Sequence, residues 1–267
     1  MADDKPMIRF AKHGAVDFRD LHVLVVEDEP YARELSSHLL RSFGCLVVRE
    51  AKNGEQAIDM LTGASRSYGL VMCDFRMPGM TGLQLLKRIR TGLPGVARDT
   101  AFAMLTGHAD KPIVGLAFQL DVDCYLTKPI AAEAMRSRVT RVMMTDRAIK
   151  SPYDYQDIDV DGVMETDSEP GERASPGIVL SAKRNGRAKA GGAKAEGAAP
   201  AAEPGKGAGG RSVPLKRVAP GSVLAEPVIT GRGQLLVPSG VVLDMRTLER
   251  LRDLAELDPS VRDVVIE

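Results

Sequence analysis

The sequence predicts an α/β fold with a five-stranded, doubly wound parallel sheet, followed by a long disordered linker and a small α+β module. Between about residues 20 and 148, short apolar runs of strand length alternate five times with stretches of helical period. The composition then changes to charged residues, Ala, Gly and Pro, which favours disorder. We therefore expect a tail (1–19), an α/β domain (20–148), a linker (149–212) and a C-terminal module (213–267).

Local signals justify the elements of the predicted α/β domain. Pro30 suits a first helical turn, where its missing N–H costs nothing, and Asn53 is a polar helix cap. Leu83, Leu86 and Ile89 share one apolar stripe, as in a helix that covers a sheet. The predicted strands begin near Leu21, Cys45, Gly69, Thr100 and Cys124. The predicted helices span about residues 30–43, 53–61, 82–90, 111–120 and 130–149.

Composition argues against several classes of protein. The 36 basic and 36 acidic residues cancel, so the net charge indicates no particular partner. Cys45, Cys73 and Cys124 lie within or beside apolar runs without zinc-site spacing, and we expect packed, reduced thiols. The first twenty residues lack the apolar core of a signal peptide, and no apolar run approaches the ~18 residues of a membrane helix. We expect a cytoplasmic protein without membrane contact.

Polar residues follow four of the predicted strands. Glu27 and Asp28 come after the first strand and Asp74 after the third. Thr106 follows the fourth strand and Lys128 the fifth. The carboxyl ends of parallel strands open at one edge of a sheet, where ligands bind. Three carboxylates, a hydroxyl and an ammonium group are therefore expected to share one cleft.

These motifs, in this order and each at a strand end, resemble the receiver domain of two-component response regulators over about residues 20–148. The resemblance implies that Asp74 is the phosphoacceptor, with a histidine kinase or phosphotransfer protein as the donor. It implies that Lys128 and Thr106 hold the transferred phosphoryl group. It also implies a cis bond between Lys128 and Pro129, and we expect no separate catalytic domain.

The resemblance further implies a magnesium ion. A carboxylate is a poor nucleophile toward a charged phosphoryl group, so the charge must be neutralised. Mg²⁺ prefers oxygen ligands and retains several waters. By the resemblance, Asp28 and Asp74 bind Mg²⁺ directly and Glu27 acts through a bound water. The backbone carbonyl of Arg76 completes the shell.

Tyr125 corresponds to the aromatic residue of the family's switch. The resemblance implies that Thr106 moves toward the phosphoryl group and that Tyr125 enters the vacated space. The face formed by the fourth helix, the fifth strand and the fifth helix then changes shape, and it is also a possible homodimer surface. A half-buried strand aromatic is the alternative for Tyr125. Thr81 stands where the family often has Asp, and Asp121 stands where the family usually has Gly. Asp tolerates a left-handed backbone conformation less well than Gly.

The predicted linker is acidic first and basic afterwards. Residues 154–172 hold eight carboxylates and no base, whereas residues 183–211 hold seven bases and two acids. Too few aliphatic residues are present to offset chain entropy, which predicts disorder. The basic half leaves open a DNA-binding regulator, although nucleic-acid binding without a folded reader is expected to be weak and salt-sensitive. A phosphate-sink receiver with an inert tail is a further alternative.

The C-terminal module is predicted to contain several short strands and one helix. Asp244 is a cap for the helix Met245–Leu257, and Val261–Ile266 is a final strand. The stretch 218–240 is similar to a small β-rich module beside the phosphodiesterase core of HD-GYP proteins, here without that core. The similarity implies an interaction role toward an unidentified protein, cyclic di-GMP or itself. A generic α+β domain is the alternative. The other predicted strands are 223–225, 228–230, 235–237 and 241–243.

Overall fold

The computed structural model describes residues 9–10, 16–107, 114–161 and 210–267. Most of the predicted linker and the start of the predicted fourth helix lie outside these residues. None of the helices within the described ranges has both the length and the apolar character needed to cross a lipid bilayer. We refer to the described residues up to 161 as the N-terminal unit and to residues 210–267 as the C-terminal unit.

The N-terminal unit begins with a short antiparallel pair, β1 (Arg9–Phe10) and β2 (Val16–Asp17). The side chain of Phe18, which follows directly, is buried among the residues on one face of the central sheet. The prediction of a simple tail over residues 1–19 is therefore wrong at its C-terminal end. Burial of Phe18 is the physical reason, because its apolar ring covers part of the sheet.

Five parallel strands form the central sheet, as predicted. They are β3 (His22–Val26), β4 (Val47–Ala51), β5 (Leu70–Asp74), β6 (Ala101–Thr106) and β7 (Cys124–Thr127). Their order across the sheet is β4–β3–β5–β6–β7, and every pairing is parallel. All residues of β5 and β6 are buried, because helices cover both faces. The carboxyl ends of the strands consequently lie along one edge.

Five helices cover this sheet. They are α1 (Pro30–Ser42), α2 (Gly54–Thr62), α3 (Gly82–Thr91), α4 (Val114–Gln119) and α5 (Ala132–Met144). Pro30 opens α1 and the Asn53 side chain caps α2, as predicted. Thr81 forms a capping box with Gln84 at the start of α3, so this departure from the commonest pattern keeps the cap.

Helix α5 ends earlier than predicted, and the chain then packs back on the N-terminal unit. Thr145 is extended, and the Thr145 hydroxyl donates to the Arg141 carbonyl of the last turn. A short helix, α6 (Pro152–Gln156), follows and buries Tyr155 completely. The predicted start of the disordered linker at residue 149 is therefore wrong. The buried ring of Tyr155 packs against the apolar core, and the polar average composition of this segment gave no indication of that contact.

The C-terminal unit is a small α+β structure. Its strands are β8 (Arg211–Pro214), β9 (Val228–Ile229), β10 (Leu235–Val237) and β11 (Asp263–Ile266), and its helix is α7 (Met245–Leu257). β8 pairs with β11 and β9 with β10, all antiparallel. Strand β8 begins at Arg211, before the predicted start of the module at residue 213, and its residues pair with β11. Asp244 caps α7 as predicted.

Two of the predicted strands in this unit are reduced to single pairings. Val223 pairs with Val242, and Leu224 pairs with Ile266, each as an isolated bridge. The unit nevertheless has a core, because Leu224, Leu243 and the inward leucines of α7 are fully buried.

The two units, predicted as separate modules, share one apolar core. A single cluster of buried residues runs from the sheet of the N-terminal unit to α7. Helix α7 lies against β7 and α4, and β10 also contacts α4. The face formed by α4, β7 and α5, predicted as a possible homodimer surface, is thus covered by the C-terminal unit of the same chain.

Candidate functional site

Three carboxylates converge at the carboxyl edge of the sheet, as the strand-end pattern predicted. Glu27 and Asp28 follow β3, and Asp74 ends the neighbouring strand β5. One ligand oxygen from each lies within 4.8 Å of the other two. Glu27 and Asp74 are almost fully buried. A concentration of negative charge with so little access to water requires a positive partner.

Lys128 supplies that positive charge from the end of β7. Its Nζ donates to Glu27 Oε2 at 2.6 Å and lies 3.0 Å from Asp74 Oδ2. Burial opposes the charge of Lys128, but the bonds to these carboxylates outweigh it and raise the pKa of the ammonium. The Lys128 N–H also donates to the Thr106 carbonyl at 2.8 Å, which fixes the end of β7 beside β6. The Lys128–Pro129 bond is cis, as the resemblance implied.

Asp74 is less easily ionised than an ordinary carboxyl group. Burial, followed by the negative charge of Glu27, raises its pKa from 3.8 to about 7. Lys128 lowers it but does not restore the ordinary value, because one ammonium group is shared by two carboxylates. A second cation beside Asp74 would favour the ionised form.

The start of α3 lies unusually close to Asp74. A Cβ atom at Gly82 would stand 2.4 Å from the Asp74 carbonyl oxygen, which explains the absence of a side chain there. The Gly82 N–H donates to the Phe75 carbonyl at 3.0 Å and joins the loop after β5 to the helix. This loop is therefore held at both ends. Arg76 lies on it, with its guanidinium group 6.0 Å from the centre of the Phe75 ring.

Thr106 ends β6 at the same edge of the sheet. The strand register places Leu105 opposite Asp74, so Thr106 lies one residue beyond the carboxylate. Its Oγ1 is buried and has no hydrogen-bond partner in the part of the chain that the structure describes. An unsatisfied buried hydroxyl is costly, so this atom can gain a hydrogen bond if an acceptor enters the cleft.

Tyr125 lies away from the carboxylates. Its ring is buried, and its hydroxyl donates to the Val114 carbonyl at the start of α4 at 2.7 Å. Burial raises the pKa of the phenol, so it stays a hydrogen-bond donor at neutral pH. The alternative of a half-buried strand aromatic does not hold, because the Tyr125 side chain is only 1% exposed. The switch role predicted for Tyr125 stays a prediction.

A network of buried charges lies beside β7, and it was not predicted from the sequence. Arg90 is fully buried in α3 and donates to the carbonyls of Arg98 and Thr100 at 2.6 and 2.9 Å. It also donates to the Asp121 carbonyl at 3.0 Å and to Asp123 Oδ2 at 3.3 Å. The sequence alone gives no sign that Arg90 is buried, because an arginine on a helix is usually exposed. The aspartate at position 121, in place of the usual glycine, was the only sequence feature that pointed to this region.

The comparisons with known proteins agree with this geometry. The family model of the response regulator receiver domain matches residues 23–140. A probable chemotaxis protein CheY of Rhizobium etli is 34% identical over 122 residues, which cover 46% of this chain and 92% of that protein. The chain belongs to the response regulator receiver family. We now call the N-terminal unit the receiver domain.

Two further similar proteins are a transcriptional regulatory protein and a solved receiver domain. The transcriptional regulatory protein FixJ of Bradyrhizobium diazoefficiens is 32% identical over 51% of this chain and 64% of its own length. A solved receiver domain from Clostridium thermocellum is 26% identical over 46% of this chain and 94% of its own, with a TM-score of 0.41. The C-terminal unit lies outside the residues matched by the family model. Its similarity to the HD-GYP-associated module therefore stays a prediction.

Proposed function

We propose that Asp74 accepts a phosphoryl group from a histidine kinase or phosphotransfer protein and that Mg²⁺ is required. The observation that supports this proposal is the convergence of Glu27, Asp28 and Asp74 around Lys128 at the carboxyl edge of the sheet. Membership of the receiver family gives the same reaction class. The product is an aspartyl phosphate that serves as a signal.

The carboxylates suit a magnesium ion. Three hard oxygen donors within 4.8 Å of one another are the kind of ligand set that Mg²⁺ prefers. Asp28 and Asp74 would hold the ion directly, Glu27 through a bound water, and the Arg76 carbonyl would complete its shell. The bound ion would neutralise negative charge on the incoming phosphoryl group.

The chain's own residues carry the transfer. An ionised Asp74 oxygen forms the new P–O bond, while the bond from phosphorus to the donor's imidazole nitrogen breaks and its electron pair stays on that nitrogen. Lys128 Nζ lies beside Asp74 and can place its charge on the phosphoryl oxygens. The unpartnered Thr106 hydroxyl can donate to one of them.

We propose that the response is delivered through the face of α4, β7 and α5. Thr106 and Tyr125 would act as the switch, because Thr106 adjoins Asp74 whereas Tyr125 lies on that face. The C-terminal unit covers the face and is the natural output module, with its downstream protein target unidentified. Four of its apolar side chains stay exposed and suit such a contact: Ile229, Leu235, Val242 and Met245.

The phosphoacceptor assignment is tested by incubating the full chain with acetyl phosphate. Intact mass should show one added phosphoryl group with Mg²⁺ and none with a chelator. Asp74→Asn should abolish the addition. Asp59→Asn, an exposed carboxylate on α2, is the matched control and should leave it unchanged. Phosphorylation that persists in Asp74→Asn would show that another residue is the acceptor.

A further inference from the structure

The turn between β3 and α1 carries two of the three clustered carboxylates, those of Glu27 and Asp28. Hydrogen bonds fix the turn at both ends. The Glu27 N–H donates to the Ala51 carbonyl of β4 at 3.1 Å. At the other end, the Glu29 carboxylate caps α1 and accepts from the Tyr31 N–H at 3.1 Å. Neither bond involves the carbonyl oxygens of Glu27 and Asp28, which lie between these two points.

Arg33, near the start of α1, binds both of these carbonyl oxygens. Its Nη1 donates to the Glu27 oxygen at 2.7 Å and to the Asp28 oxygen at 3.2 Å. Its Nε lies 3.9 Å from Glu50 Oε2 on β4, and this carboxylate helps to orient the guanidinium group. The planar guanidinium presents its donors in fixed directions, so it can hold two neighbouring acceptors in one arrangement. Arg33 therefore restrains the backbone of both acidic residues.

Asp28 depends on this restraint more than Glu27 does. The Glu27 carboxylate is held directly by Lys128, with 2.6 Å between Nζ and Oε2. The Asp28 carboxylate has no such partner among the residues that the structure describes, so its position follows from its backbone. Mg²⁺ demands near-ideal octahedral geometry, so a displaced ligand binds it less well. Removal of Arg33 would loosen the part of the turn that places the Asp28 oxygens.

The charge of Arg33 acts in the opposite direction. A guanidinium group bonded to the backbone of two metal ligands is close enough to repel a bound cation, and this repulsion alone would lower the affinity for Mg²⁺. Glu50 offsets part of the charge, but Arg41 also pairs with Glu50, at 3.2 Å. Removal of Arg33 therefore has two effects of opposite sign on Mg²⁺ affinity. The sign that is measured shows whether order or charge dominates.

We propose that Arg33 is a positioning residue for the magnesium site, and that ordering of the turn outweighs repulsion of the ion. Because its bonds to this turn are to main-chain oxygens, Arg33 acts through Glu27 and Asp28 rather than on the phosphoryl group. This role rests on the proposed function, since it concerns the ion that phosphorylation of Asp74 is proposed to require. It adds a residue of α1 to a site otherwise built at the ends of strands.

Isothermal titration calorimetry of the full chain, without a phosphoryl donor, measures the affinity for Mg²⁺. Arg33→Met keeps an apolar stem but removes the charge and both hydrogen bonds, and it should weaken Mg²⁺ binding by about tenfold. Arg33→Gln retains one donor group and should fall between the wild type and Arg33→Met.

Arg41→Met is the matched control for these variants. Arg41 lies on the same helix, pairs with the same Glu50 and donates to a main-chain carbonyl, that of Val48, at 3.2 Å. The substitution therefore removes the same charge and a similar hydrogen bond away from the turn. Its affinity for Mg²⁺ should stay at the wild-type value.

Hydrogen–deuterium exchange of the metal-free chain tests the restraint without Mg²⁺. In Arg33→Met, exchange should accelerate in the turn, over residues 27–29, and stay at the wild-type rate in β5. Arg41→Met should leave exchange in the turn unchanged. A merely structural loss would accelerate exchange in the turn and in β5 alike.

Tighter Mg²⁺ binding in Arg33→Met would show that charge dominates and would overturn the positioning role. Equal losses of affinity in Arg33→Met and Arg41→Met, or faster exchange in β5 as well as in the turn, would overturn it too, because α1 would then act only through the stability of the fold. Unchanged affinity in Arg33→Met, with normal binding by the wild type, would overturn this role and leave the proposed function intact. Absence of Mg²⁺ binding in the wild-type chain would overturn the magnesium requirement itself, together with the role of Arg33.

Discussion

Asp74 illustrates how the fold changes the chemistry of one side chain. In an exposed loop this carboxylate would be ionised at neutral pH. Burial beside Glu27, with Lys128 shared between them, raises its pKa to about 7. The sequence predicts that Asp74 lies at the end of a buried strand, and Asp74 is the last residue of β5. The shift in its pKa, however, depends on groups from the neighbouring strands. The negative charge of an ionised Asp74 therefore destabilises the fold.

The stability of Asp74→Asn should depend on pH. A carboxyl group whose pKa is raised on folding contributes stability below its ordinary pKa of 3.8, and that stability is lost as pH rises through about 7. Without divalent metal, Asp74→Asn should therefore be more stable than the wild type at pH 8 by on the order of 4 kcal/mol. The advantage should vanish near pH 4.

Urea unfolding in the presence of a chelator measures this difference. Mg²⁺ should then stabilise the wild-type chain at pH 8 more than Asp74→Asn, because the ion compensates the carboxylate charge. A stability difference that is the same at pH 4 and pH 8 would contradict a raised pKa for Asp74.

Among the elements, α3 shows how an arginine can act as an internal connector. Arg90 crosses from α3 to the end of the loop before β6 and to the loop before β7. It neutralises Asp123, whose carboxylate also accepts from the Phe102 N–H at 2.8 Å. Helical period alone predicted the bounds of α3 to within one residue. It did not reveal that this charged position faces inward.

Arg90→Met should destabilise the receiver domain strongly. Methionine fills much of the same volume, but the substitution leaves Asp123 with less compensation and several buried carbonyls without a donor. A loss of about 3–5 kcal/mol is expected, as for other broken buried ion pairs. Arg88→Met is the control, since Arg88 is exposed on the same helix. Chemical denaturation of both variants provides the comparison, and similar midpoints would refute a connecting role for Arg90.

At the scale of the whole molecule, the two units behave as one structure. Ion pairs join α7 to residues more than a hundred positions earlier in the chain, such as Arg138 with Asp253 and Asp121 with Arg250. The apolar core also continues across the boundary. A C-terminal unit of this size has a small core of its own, so the receiver domain contributes part of its stability.

Cleavage between the units should leave them associated. A site-specific protease sequence inserted after Gly186 allows the chain to be cut between the two units. We expect the fragments to co-elute in gel filtration, because docking does not depend on the covalent connection. The same cut in Arg250→Gln should give separate or more weakly associated fragments. Independent elution of the wild-type fragments would show that the interface is too weak to hold them.

Sequence patterns are enough to predict the parallel sheet, its helices and the residues at its carboxyl edge. Those features have short-range signatures: apolar runs of strand length, helical period, and polar residues at strand ends such as Asp74 and Lys128. The tertiary structure alone decided that α7 covers the α4–β7–α5 face, that Tyr155 packs back and that Arg90 points inward. Asp121 shows the reason. Its departure from the usual glycine was visible in the sequence, but its partners Tyr155 and Arg250 have no periodic relation to it and meet it only when the chain folds.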